Sequence, residues 1–264
     1  MNFYSKIYKS LIFKLKKKIN LDNSKIKKKE LNRLFNYFGT DKGTNVLNPY
    51  TKLKKKIFFK GHGFGKFYEK HFSRLKNNNL NILEIGVWEG ASTASFFHYF
   101  KRANFFAVDR NFKFQYTSKR INFIFCDTTS VKELKKFNNI LKLKNISSFD
   151  IIIDDGSHIL SNMFKNFSFF FKRLKSGGIY VIEDYKHPNY FSYLKDLKNH
   201  IFIDKALNFF KNKKVFKSSI LSKNEISYLN SKIKKIFTYK GECIEKNKNI
   251  SDIAFIYKKM IKKN

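Results

Sequence analysis

Between residues 80 and 184, five short apolar runs each finish at or beside a carboxylate. Residues 80–85 contain Glu84 and stop at Gly86, 105–108 stop on Asp109, and 121–126 stop on Asp127. Residues 149–153 stop on Asp154 and Asp155, and 179–182 stop on Glu183 and Asp184. Helical patterns lie between them, over about 91–100, 130–142 and 160–175. Short strands that are apolar on both faces and alternate with helices dictate a parallel sheet covered on both sides. Such sheets bind their ligands beyond the carboxyl ends of the strands, where the strand order reverses. The acids therefore mark a site. Two later strand patterns, about 233–239 and 252–258, are placed to close the sheet as an antiparallel pair. The fold class that follows is α/β, a doubly wound and mostly parallel seven-stranded sheet.

The acids stand out because they are scarce. The 264 residues carry 55 Lys and Arg against 20 Asp and Glu, a formal charge of +35, and half of those acids fall in residues 80–184. A charge of that size points to nucleic acid or an anionic surface as partner. Only 6 of the 55 basic residues are Arg, however, and Lys, Asn, Ile and Phe are abundant throughout, as A+T-rich coding would produce. Arg forks, the usual readers of phosphate, are nearly missing. Nucleic acid is therefore not the expected partner.

Two cysteines, Cys126 and Cys243, cannot staple a chain of this size, which excludes a disulfide scaffold and favours a reducing, cytoplasmic location. No run of 18 apolar residues exists to span a bilayer, and the basic amino terminus lacks the apolar stretch of a secretory signal. Residues 4–19 instead alternate apolar positions (Tyr4, Ile7, Tyr8, Leu11, Ile12, Leu15, Ile19) with Lys6, Lys9, Lys14 and Lys16 to Lys18. This pattern is a basic amphipathic helix, packed on its own domain or a second subunit, or laid on an anionic membrane surface. A second helix is expected from Ser24 as N-cap to Phe38, with Gly39 ending it. Residues 1–38 thus form an N-terminal helical extension. Residues 39–264 form the main domain, with its core at 80–184 and a closing region at 185–264. Residues 39–63, with Pro49 and a following Lys run, read as irregular, and a helix follows over about 64–75.

Chemistry concentrates at the turns. Glu84-Ile85-Gly86-Val87-Trp88-Glu89-Gly90 occupies the first strand-to-helix turn, where glycine lets backbone amides approach a ligand. Trp88 stands where a dinucleotide fingerprint needs its middle glycine, which disfavours a pyrophosphate and suits a ligand with an amino-acid head and one nucleoside. Asp109 is placed to hold a ribose diol, and Asp127 to meet a base. Asp155, Glu183 and Asp184, from two neighbouring strand ends, offer a hard oxygen site suited to magnesium. His158, three residues after Asp155, can face the same cleft as a proton acceptor.

The order of these segments resembles the class I S-adenosylmethionine-dependent methyltransferases, whose fold is Rossmann-like with helices on both faces of the sheet. Within that class, residues 149–158 (FDIIIDDGSH) and 174–185 (LKSGGIYVIEDY) are similar to the metal-dependent sugar O-methyltransferases of the macrocin and mycinamicin type. Gly39-Thr40-Asp41-Lys42, His62 and Tyr68-Glu69-Lys70 are similar to the segment that precedes the core there. The resemblance covers about residues 35–190. It implies S-adenosylmethionine bound at Glu84, Gly86, Gly90, Ser92, Asp109 and Asp127. It also implies Mg2+ or a similar hard divalent cation on Asp155, Glu183 and Asp184, with His158 as general base. The implied function is O-methylation of a sugar hydroxyl on a glycan or glycosylated metabolite, as in polysaccharide biosynthesis. Apart from the resemblance, the cysteine usage leads to the expectation of a cytoplasmic setting, and the basic helix over residues 4–19 leaves a place at the inner membrane surface and a homo-oligomer as expectations. The rival readings are an RNA methyltransferase and a non-catalytic membrane-surface or assembly protein. Asp154 is read as a turn cap and Cys126 as buried and inert. His62, His71, His98, His187 and His200 are read as structural or surface residues.

Overall fold

The structure is a computed structural model that describes residues 3–27, 30–47, 58–245 and 247–260; side chains are described from Tyr8 onward, those of Leu47, Phe58 and Phe59 excepted. Pro49 and the Lys run after it lie outside the described residues. Seven strands build the central sheet: β1 (Asn81–Ile85), β2 (Asn104–Asp109), β3 (Ile121–Phe125), β4 (Phe149–Asp154), β5 (Leu174–Glu183), β6 (Ile233–Lys240) and β7 (Asp252–Lys258). Their spatial order is β6-β7-β5-β4-β1-β2-β3. The first five strands are parallel, and β7 and β6 join antiparallel at the β5 edge. The seven-stranded, mostly parallel sheet is as the sequence predicts.

Period-2 alternation sorts the strand side chains into two cores. Leu83, Ile85, Phe106, Val108, Ile152, Tyr180 and Ile182 face one side. There they pack against α5 (Val131–Leu143), α6 (Leu160–Phe171), α8 (Ile203–Lys211) and α9 (Lys223–Lys232). Ile82, Phe105, Ile151, Ile153, Ile179 and Val181 face the other side. Their partners are α2 (Leu31–Phe38), α3 (Gly65–Phe72) and α4 (Ala91–Tyr99). The remaining helices are α1 (Phe3–Leu15) and the one-turn α7 (His187–Tyr190). Ser130 caps α5, and Ser222 with Glu225 forms a capping box on α9, so each start satisfies backbone donors that would otherwise be unpaired.

Two expectations need correction. The helix expected from Ser24 begins at Leu31. The Ser24 hydroxyl donates to the Leu21 carbonyl (2.6 Å) and meets His98 Nε2 (3.0 Å), so it closes a turn instead of capping a helix. Residues 39–63 are not wholly irregular either, since Asn45–Leu47 and Phe58–Lys60 pair as a small antiparallel hairpin. Gly39 does end α2, at φ 75° with its amide on the Phe35 carbonyl.

Candidate active site

The strand order reverses between β1 and β4, and there the chain crosses itself closely. The Gly86 amide bonds to the Val108 carbonyl (2.9 Å) and the Asp155 amide to the Ile85 carbonyl (3.0 Å). Gly86 has φ +83°, and a Cβ on it would sit 1.9 Å from the Asp155 carbonyl oxygen. Only glycine fits this crossing, which binds the β1 turn to the turn after β4. A cavity of about 580 Å3 opens over it, lined by Gly86, Trp88, Ser92, Asp109, Asp127 and Asp155 among others. This is an ordinary volume for a small-molecule site.

The cavity's acids are already oriented. Asp109 accepts the Trp88 amide on Oδ2 and the Asn111 amide on Oδ1, both at 2.7 Å. Asp127 accepts the Thr129 amide (3.0 Å) and hydroxyl (2.7 Å), both on Oδ1. Trp88 holds φ 49°, and the Lys113 ammonium lies 3.6 Å from its ring centre. Ser92 lies in the first turn of α4, which Gly90 opens, so backbone donors of a helix start face the cavity. Glu84 is buried beneath, accepting the Thr93 hydroxyl on Oε2 (2.6 Å), with the Ser92 side chain also bonding the carboxylate. Burial raises its pKa. Cys126 is buried, as expected, and also lines the cavity.

Beside the cavity the remaining acids meet a buried lysine. Lys42 Nζ donates to Asp155 Oδ2 and to Glu183 Oε2 (2.8 Å), and the Tyr68 hydroxyl donates to Glu183 Oε1. Burial opposes the charge on Lys42, yet Asp155, Glu183 and Asp41 hold its pKa well above the ordinary lysine value. Burial pushes Glu183 and Asp155 up, with Lys42 pulling both back. Asp184 is pushed well up by burial and by the neighbouring carboxylates. Its Oδ1 is enclosed and has no hydrogen-bond partner among the described residues; His62 Nδ1 stands 3.4 Å away and His187 Nε2 3.6 Å. His158, Asp184 and His187 offer donor atoms within 4.8 Å of one another. Asp155 and Glu183 thus contact the Lys42 ammonium, and Asp41, Glu84 and Asp184 lie within reach of its charge. An enclosed carboxylate oxygen in such a place fits a divalent cation.

His158 Nε2 lies 3.8 Å from Asp155 Oδ1, and its ring meets that of His187 at 4.8 Å. Burial, reinforced for His158 by Lys42, pushes the two imidazoles down to about 4 and about 3. Both are neutral at ordinary pH. Asp154 turns into the core and accepts the Tyr180 hydroxyl (2.7 Å) and the Gly156 amide (3.4 Å), with burial raising it to about 6.

His62 and His187 make structural hydrogen bonds, to the Ser251 hydroxyl (2.8 Å) and the Ile250 carbonyl (3.1 Å), and both also flank Asp184. Lys42 and Tyr68 were visible only as parts of the GTDK and YEK strings, with no role attached. Their partners lie 141 and 115 residues away in sequence. His71, His98 and His200 are structural, held by tyrosine or serine hydroxyls.

A family model described as a methyltransferase domain matches residues 83–185. Mycinamicin VI 2''-O-methyltransferase of Micromonospora griseorubida is 32% identical over 130 residues, which is 47% of this chain and 31% of that protein. Demethylmacrocin O-methyltransferase of Streptomyces fradiae is 33% identical over 131 residues, again 47% of this chain and 32% of that one. The matched segment thus takes in about a third of the length of these curated relatives. Among solved structures, the MycE methyltransferase of the mycinamycin pathway, in complex with Mg, SAH and mycinamycin VI, superposes with a TM-score of 0.63. That superposition is at 22% identity and covers 89% of this chain and 56% of the other. Residues 83–185 therefore match a methyltransferase domain, in a chain that is similar over 47% of its length to the macrocin and mycinamicin sugar O-methyltransferases and shares its fold with MycE.

Proposed function

We propose that this chain is an S-adenosylmethionine-dependent, divalent-metal-assisted O-methyltransferase acting on a sugar hydroxyl. Its acceptor on this reading is a small-molecule glycoside or a glycan. The observation that carries it is the enclosed Asp184 Oδ1, which accepts no hydrogen bond among the described residues, near a cavity of nucleoside size lined by Asp155, with the neutral His158 imidazole 3.8 Å from that carboxylate. When bound, the cofactor supplies an electrophilic methyl group and the cation lowers the pKa of the acceptor hydroxyl. Asp109 and Asp127 orient the nucleoside, and Glu84, Gly86, Gly90 and Ser92 shape the pocket for the amino-acid head. Asp155, Glu183 and Asp184 are the residues that would hold Mg2+, with Asp184 Oδ1 the oxygen still open. His158 Nε2 takes the hydroxyl proton, and Asp155 Oδ1 at 3.8 Å stabilises the imidazolium that results. Rigid placement on strand ends supplies alignment of the reacting groups.

Cytoplasmic placement and a part in polysaccharide biosynthesis extend the reading; a chain with only two cysteines, Cys126 and Cys243, and no disulfide between them suits a reducing compartment. The test is methyl transfer from labelled S-adenosylmethionine to glycoside acceptors, with and without EDTA. Transfer that EDTA abolishes and Mg2+ restores, and that falls at least about a hundredfold in His158→Ala, is expected. Transfer to RNA instead, or undiminished transfer in EDTA, overturns the reading.

A further inference from the structure

Helix α1 is turned inside out. An amphipathic helix on a soluble domain normally lays its apolar stripe on the core. Here Phe13 makes the anchoring contact, buried with its ring 5.0 Å from Phe123 and 5.5 Å from Phe112. Tyr8, Leu11, Ile12 and Leu15 are instead 66%, 54%, 47% and 86% exposed. At about 100° per residue these four share an arc of about 100°, and Phe13 stands about 140° round from Tyr8. The wide apolar face therefore looks away from the protein, and exposed Ile19 extends it past the helix end.

Charge says what this face suits. Lys9 and Lys14 flank the arc and Lys16 and Lys17 follow it, all exposed, with no acid in the helix. A second copy of this chain would bring the same lysines against these. An anionic lipid surface accepts both parts, the apolar arc at the acyl boundary and the ammonium groups among the phosphates. The attachment is also firm enough to orient the protein. Residues Ile19–Asn20 pair in parallel with Tyr116–Thr117, and the Ile19 amide bonds to the Gln115 carbonyl at 2.9 Å. Gln115 and Tyr116 line the cavity described above.

We propose that α1 is a docking element that seats the chain on an anionic membrane surface, its outward apolar arc in the interface and the cavity held at a fixed place relative to the lipid. This does not depend on the methyl-transfer reading.

The test is flotation of the full chain with phosphatidylcholine vesicles, with and without phosphatidylglycerol. Salt is kept at about 0.15 M, where the screening length is about 8 Å, and general attraction of a +35 chain is controlled by comparing proteins of equal charge. Leu11→Ser with Leu15→Ser leaves every charge in place and removes exposed side chains, so the thermal midpoint should not move. Flotation with the anionic vesicles that weakens at least about tenfold in this variant is expected. The proposal is overturned if the unaltered chain stays at the bottom of the gradient, or if the variant floats equally well. It is equally overturned if sedimentation shows an oligomer that the variant dissolves while neither protein binds vesicles, which would assign the face to a second copy.

Discussion

Lys42 Nζ lies 2.8 Å from Glu183 Oε2, in a pair whose side chains are each only 2% exposed. The same ammonium holds Asp155, so a residue from the segment before the sheet ties together the ends of β4 and β5. A buried charge that loses its partner is far costlier than the pair was worth. Lys42→Met should therefore lower stability by about 3–5 kcal/mol at neutral pH, read as a fall in the urea midpoint with an unchanged slope. In a Glu183→Gln background the same change should cost markedly less, because one of the two stranded carboxylates is gone. Equal losses in both backgrounds would show that the pair is not coupled.

Gly86 is the second point at which the site depends on a backbone contact. Its φ of +83° costs an L residue about 1–2 kcal/mol, and the 1.9 Å approach of a Cβ to the Asp155 carbonyl adds a collision that no rotamer relieves. Gly86→Ala should destabilise the protein and, by pushing the Asp155 turn away, weaken S-adenosylmethionine binding at least about tenfold in calorimetry. A folded variant with unchanged affinity would separate the crossing from the cofactor site.

The strand-end acids were legible because each is fixed by local sequence: an apolar run must end, and a parallel sheet gathers all its carboxyl ends on one edge. Asp109, Asp127 and Asp155 line one cavity or its edge for that reason. Lys42, Tyr68, His62 and His187 were not legible as a group. Lys42 reaches across 113 and 141 residues to its partners and Tyr68 across 115, whereas His187 is only three residues from Asp184 and its ring direction, not its distance in sequence, was what the pattern lacked. The late start of α2 had a similar cause, since Ser24 has the chemistry of an N-cap but spends it on Leu21 and His98. Local pattern predicted positions; long-range pairing decided which polar groups are neutralised.

His71 offers a pH test away from the carboxylates. Its nitrogens meet the Tyr257 and Tyr239 hydroxyls at 2.7 and 3.0 Å, and its ring stacks on Phe255 at 4.0 Å. Burial, with Lys70 nearby, pushes its pKa down from 6.5 to about 4. A depressed folded-state pKa means the unfolded chain takes the proton first, so this contribution to stability is complete above pH 6.5 and is lost as pH falls through about 4. His71→Gln should be less stable than the unaltered chain at pH 7, and the gap should narrow on acidification toward pH 4. Urea midpoints across that range check it, and parallel loss in the two proteins would refute the assignment.

Trp88 is the chain's single tryptophan and lines the cavity, with its amide on Asp109 Oδ2. Any ligand that fills the cavity changes the surroundings of that indole, so S-adenosylmethionine or its demethylated product should change the emission saturably. Trp88→Phe should abolish the optical change while calorimetry still detects binding. Asp109→Ala should do more, because the carboxylate bonds the Trp88 and Asn111 amides and, on the proposed function, also orients the ribose. Its loss should weaken binding about 10–100-fold, the worth of one or two charge-assisted hydrogen bonds. Should Asp109→Ala retain full affinity while the Trp88 signal persists, the nucleoside would have to lie elsewhere in the cavity than over the end of β2.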